Sequence, residues 1–97
     1  MLRHVALFTW TSDVTADQIE AVTAALRALP AQIPEIRDYR VGQDAGVSED
    51  NHDYAVVADF DSFDGFLAYR DHPAHRAVLE ERIRPILAAR AAVQYEC

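Results

Sequence analysis

The 97-residue chain has no lysine, a single cysteine, a single tryptophan and only three glycines, and these shortages narrow what it can be. With Cys97 alone at the very end, no internal disulfide can form, which fits a reducing compartment. The few glycines build no phosphate-cradling loop, there is no serine elbow, and no cysteine stands near a histidine. Kinase, dinucleotide-dependent and serine- or cysteine-hydrolase readings therefore lack their parts. All nine basic residues are arginines scattered along the chain, and the net charge is -7. Nucleic-acid phosphates and anionic membrane surfaces both need a basic patch, so neither is an expected partner. No apolar run approaches the roughly 20 residues that span a bilayer. The N-terminus opens directly on an alternating segment rather than a basic-apolar signal pattern, so the expected location is cytoplasmic.

What is present is a foldable single domain over residues 1–97, 51% hydrophobic. Arg3 to Trp10 alternates as a strand, with His4, Ala6, Phe8 and Trp10 on one face and Val5, Leu7 and Thr9 on the other. Thr15 and Gln18 have capping-box spacing, and Ile19, Val22, Leu26 and Leu29 recur at helical spacing up to Pro30. A strand is expected over Ile36 to Val41, ending at Gly42, and then a polar loop over Gln43 to Asp53. Tyr54 to Phe60 is the clearest strand, with Tyr54, Val56, Ala58 and Phe60 on one face. Ser62 is a candidate N-cap for a short helix carrying Phe63, Phe66 and Leu67. Proline disfavours the helical region for its predecessor, so that helix stops near His72 and another begins at Pro73. The second helix is expected to bury Val78, Leu79, Ile83, Ile86 and Leu87, with Pro85 kinking or splitting it, before a last strand over Ala91 to Glu96.

This order is an α+β, ferredoxin-like split βαβ arrangement with a four-stranded antiparallel sheet. Helices cover one face. On the other, Val5, Leu7, Ala55 and Val57 are apolar where a water-facing sheet would be polar. A second copy of the sheet is the simplest cover, so the expectation is a homodimer whose two sheets form an α/β barrel.

The stretch Tyr69-Arg70-Asp71-His72-Pro73-Ala74-His75 gathers proton-moving side chains at a forced backbone break. With Pro73 at the first helical position, His75 sits in the first turn, where the macrodipole disfavours an imidazolium. A neutral His75 can accept a proton and Tyr69 can offer a phenol to developing negative charge, the raw material of acid/base catalysis. A plainer reading has both filling a helix corner. His72 is expected to satisfy backbone groups at the junction, His52 to order its loop, and Arg70 and Asp71 to be solvated. Trp10, Phe8, Phe63 and Phe66 are expected in the core. His72 and His75 share no helical face and no Glu-x-x-His pattern occurs, so no metal is expected.

Arg3-His4-Val5-Ala6-Leu7-Phe8, Asn51-His52-Asp53-Tyr54-Ala55-Val56-Val57 and the Tyr69 to His75 segment together resemble the stress-responsive dimeric α/β-barrel family, called Dabb, over essentially the whole chain. The family includes plant stress proteins, a plant polyketide cyclase that makes olivetolic acid, and a plant hydroxynitrile lyase, all working without a redox cofactor. The resemblance implies Tyr69 and His75 as catalytic residues in a pocket between helices and sheet. His4, Phe8, Tyr54 and Val56 would line that pocket. Tyr54 stands where the cyclase has a further pocket histidine, so the same substrate is not implied. The implied function is cofactor-independent binding of a small apolar or aromatic, polyketide-like carbonyl compound, with cyclase or lyase chemistry. A non-catalytic stress or ligand-binding protein and a cofactor-free oxygenase are the alternatives.

Overall fold

The computed structural model describes all residues, Met1–Cys97, as an antiparallel sheet with helices on one face. Strand β1 (Leu2–Trp10) is followed by helix α1 (Ala16–Arg27), strand β2 (Ile36–Gln43), strand β3 (Tyr54–Phe60), helix α2 (Phe63–Asp71), helix α3 (Pro73–Val78) and strand β4 (Leu87–Glu96). The sheet order is β2-β3-β1-β4. His4 lies opposite Ala58 and Gln94, and Phe8 opposite Tyr54 and Arg90, so these residues share the helix-covered face.

The local causes follow the sequence. Thr15 accepts from the Gln18 amide while the Gln18 side chain accepts from the Thr15 amide, closing a capping box on α1. Val22 and Leu26 are buried against the sheet. The chain leaves α1 before Pro30, which sits in a 3₁₀ turn over Leu29–Ala31. Ser62 caps α2 through the Gly65 amide. His72 ends α2 in extended backbone and caps α3, its Nδ1 accepting from the Ala74 amide at 3.0 Å. Beyond α3 the chain widens into a π turn over Leu79–Ile83 and tightens into a 3₁₀ turn over Arg84–Ile86. Pro85 in that last turn splits the expected single helix, since it has no amide proton to continue the ladder.

Three expectations need correction. The sheet is not closed into a barrel: β2 and β4 lie at opposite edges with β3 and β1 between them, so the sheet is open. Closure demands more strands, tilted and staggered until the edges meet, and four strands do not reach round. The last strand begins at Leu87 rather than Ala91, because β1 supplies a ladder as far as the Trp10–Leu87 pair. Leu87 therefore belongs to β4 and not to the preceding helix. Phe63 is no core residue; at the first position of α2 its side chain points away from the sheet and is 61% exposed.

The outer sheet face carries Val5, Leu7, Ala55 and Val57, all only partly buried, with Val93 exposed beside them on β4. Arg3 and Asp59 form a bidentate pair at its end, 2.7 and 2.8 Å. The hydrogen bonds from Arg3 hold the Asp59 carboxyl below its ordinary range.

Candidate active site

Helices α1, α2 and α3 cover β2, β3 and β1 but leave β4 largely exposed, and four of the ten residues of β4 are alanines with little side-chain volume. Between β1 and β4 below and the α2–α3 corner above, this leaves a cavity of about 280 Å³, mostly apolar in lining. His4, Phe8 and Val56 form its floor, and Tyr69 and His75 its roof. The residues singled out from the sequence are thus brought together, with one exception. Tyr54 lies outside this cavity. Opposite Phe8 and Gln43 it sits under α1, its hydroxyl 2.7 Å from Thr23 Oγ1 and its ring 5.5 Å from that of Trp10. Its place at the far end of β3 makes it a core residue.

His75 owes its position to the break at Pro73. Because α2 ends at Asp71, the Arg70 carbonyl has no helical donor and lies 3.0 Å from His75 Nδ1. A carbonyl only accepts, so Nδ1 donates and carries the proton of the neutral ring, leaving the Nε2 lone pair unprotonated. Burial lowers the tendency of His75 to protonate; the Arg70 carbonyl opposes this and Arg90 adds to it. The expected neutrality therefore has a different main cause: desolvation, rather than the dipole of a short helix.

His4 is the mirror case. The Gln94 side-chain nitrogen lies 2.8 Å from its Nδ1. An amide nitrogen only donates, so Nδ1 accepts and the neutral ring carries its proton on Nε2. Burial, reinforced by the positive charge of Arg90 and by His75, pushes the His4 pKa down to about 4. One cavity thus holds two neutral imidazoles of opposite tautomer, one with a basic Nε2 and one with an Nε2–H donor.

Tyr69 packs against His75 with ring centroids 4.1 Å apart and planes tilted by 35°, and does not hydrogen-bond to it. Its hydroxyl instead lies 2.8 Å from that of Tyr39 on β2. Burial raises the Tyr69 phenol to about 12, so it is a proton donor at neutral pH. When Tyr39 donates to Tyr69, the Tyr69 proton is free to point elsewhere and its donor strength increases.

Sequence reasoning missed Tyr39, Gln94 and Arg90. Gln94 was within the expected strand but had no visible partner, because strand pairing between residues so far apart is a tertiary fact. Arg90 fell just before the expected start of β4. Tyr39 alternates correctly for the helix-covered face and was the most recoverable. Of the other histidines, His72 caps α3, and His52 bonds Thr9 Oγ1 at 2.9 Å, tying the loop to β1. Arg70 and Asp71 pair on the surface. No three potential metal ligands come together, and no helix is long and apolar enough to cross a membrane.

The stress-responsive A/B barrel domain model, Dabb, matches residues 2–97, and the chain belongs to that family. A protein of unknown function from Thermobifida fusca, described as dimeric and ferredoxin-like, superposes with a TM-score of 0.91 at 54% identity, covering 99% of this chain and 90% of that one. One from Bacteroides fragilis, also dimeric and ferredoxin-like, gives a TM-score of 0.85 at 31% identity, covering 99% and 95%. An uncharacterized protein of Streptomyces coelicolor is 32% identical over 79 residues, 79% of this chain and 81% of its own length. The hydroxynitrile lyase of Passiflora edulis gives a TM-score of 0.85 at 22% identity, covering 97% and 90%, a likeness of fold. The first two are dimers of ferredoxin-like units, in keeping with the open sheet and against the expected barrel.

Proposed function

We propose that the cavity binds a small apolar or aromatic carbonyl compound and that His75 removes a proton from the carbon beside the carbonyl. The reading rests on the paired tautomers: a base and a hydrogen-bond donor, both neutral, line one cavity with the Tyr69 phenol. The carbon–hydrogen bond breaks, its proton passes to His75 Nε2, and its electrons move to the carbonyl oxygen. Tyr69 and the His4 Nε2–H stabilise the resulting enolate oxygen, as donors aimed at developing charge do in a partly dry site. Return of the proton elsewhere, attack on a second carbonyl of the same molecule, or loss of a leaving group would complete an isomerase, cyclase or lyase reaction. The lyase of the same fold makes such chemistry a natural direction.

A panel of aryl ketones and β-dicarbonyl compounds in D₂O tests this directly. The protein is expected to exchange the proton next to the carbonyl faster than buffer does for at least one of them, followed by NMR. Exchange at the buffer rate across the panel would favour the second reading, a non-catalytic binding protein. That reading draws on the same bonds, since His75 to the Arg70 carbonyl and Tyr69 to Tyr39 also fasten α2 and α3 to the sheet.

We further propose that the chain is a homodimer joined through the outer sheet face, each sheet remaining open. The apolar Val5, Leu7, Ala55 and Val57 need a cover there, and the relatives from Thermobifida fusca and Bacteroides fragilis are dimeric. Sedimentation should give twice the chain mass. Val57→Asp, which would bring two carboxylates into the contact, should shift it to monomer.

A further inference from the structure

Three arginines line the cavity, and they are not equivalent. Arg70 is held by Asp71 and Arg84 by Glu80, whereas Arg90 has no carboxylate partner. Arg90 stands opposite Phe8 across the β1–β4 ladder, so it is on the helix-covered face, and it belongs to an exposed strand at the open side of the cavity. Its charge also reaches inward, making protonation of His4 and His75 harder. Arg27, Arg76 and Arg82 also lack a carboxylate partner, but none of them lines the cavity, so Arg90 is the one free guanidinium there.

We propose that Arg90 is the carboxylate-recognition residue of the cavity, and that the substrate is an organic acid whose apolar body lies against Phe8, Val56 and Phe66. The rigid guanidinium fork matches the two oxygens of a carboxylate. A net charge of -7 repels free anions at long range, so a local unpaired cation beside an apolar cavity selects acids that also carry hydrophobic bulk. With the carboxylate at the mouth, the body of the acid extends inward toward His4, Tyr69 and His75. The inference rests on the reading of this cavity as a binding site and narrows what it takes.

Calorimetric titration of the full-length protein with 4-phenylbutanoate and with 4-phenylbutan-1-ol tests it. The acid is expected to bind about tenfold or more tightly than the alcohol, and added salt should weaken the acid alone. Arg90→Gln should bring the two affinities together, while Arg90→Lys, keeping the charge without the fork, should retain part of the difference. Both substitutions lie on an exposed strand, and unchanged thermal unfolding will confirm intact folding. Equal binding of acid and alcohol by the wild-type protein, or an acid preference that survives Arg90→Gln, would overturn the carboxylate assignment yet leave the cavity a binding site. Binding of neither probe, with no shift of the His4 or His75 resonances, would overturn both.

Discussion

His75→Ala is expected to slow proton exchange on a responsive carbonyl compound by roughly 10²- to 10⁴-fold, the usual contribution of a positioned general base. The loss should fall on kcat, because the base acts on the reacting carbon and contributes little to holding the ground state. Stability should change far less, by about 1 kcal/mol, since one hydrogen bond to the Arg70 carbonyl is lost at a site bordering an existing cavity. Tyr69→Phe removes one donor to the enolate oxygen and should cost on the order of 10²-fold. Because burial lowers the His75 pKa, the acid limb of the wild-type rate profile should lie below the ordinary imidazole value of 6.5. A corner-filling role predicts the reverse: the two variants lose thermal stability and any activity is indifferent to them. Unchanged rates in both variants of an active protein would move the chemistry to other residues.

The elements whose cause is local were legible in the sequence. The capping box at Thr15, the alternation of Tyr54 to Phe60, the Ser62 cap and the break at His72-Pro73 each depend on residues a few positions apart, and each forms where its residue types require. The failures are tertiary. Leu87 to Arg90 resembles the end of a helix in composition, and only the ladder offered by β1 makes it a strand. The family resemblance implies a site role for Tyr54, yet the register sets it beneath α1. A sheet with two apolar faces calls for a cover but not for closure into a barrel. Within the site, residue types named an acid and a base, but the assignment of roles needed geometry. The tautomer of each histidine is set by one neighbour, the Arg70 carbonyl for His75 and the Gln94 amide for His4, and the second of these lies 90 positions away.

That second histidine carries the remaining prediction. Stability is expected to fall by about 2 to 3 kcal/mol as pH drops from 6.5 to 4, before most carboxylates protonate. In the unfolded chain His4 binds a proton near its ordinary pKa of 6.5; in the folded protein desolvation holds this off until about 4. Between those values the unfolded state binds more protons, so acid favours unfolding, and above 6.5 the contribution is fully present. The gap is worth about 1.36 kcal/mol per pKa unit, and the range given allows for solvent screening at a side chain that borders a cavity. His75 acts in the same direction, because its pKa is also lowered by burial. Asp59, Asp61 and Asp71, whose arginine partners lower their pKa values below 3.8, begin to lose their contributions only below about pH 5, so the upper part of the window, from 6.5 to about 5, isolates the histidines. His4→Gln keeps a hydrogen-bonding side chain beside Gln94 and removes the titration. Urea unfolding at half-unit pH steps should show a slope between 6.5 and 4 that is reduced, though not abolished, in His4→Gln. An equal slope in variant and wild type would mean that His4 titrates normally in the folded protein. In that case its Nε2–H donor role at neutral pH would lose its physical basis, since an imidazole open to water would not be confined to one neutral tautomer.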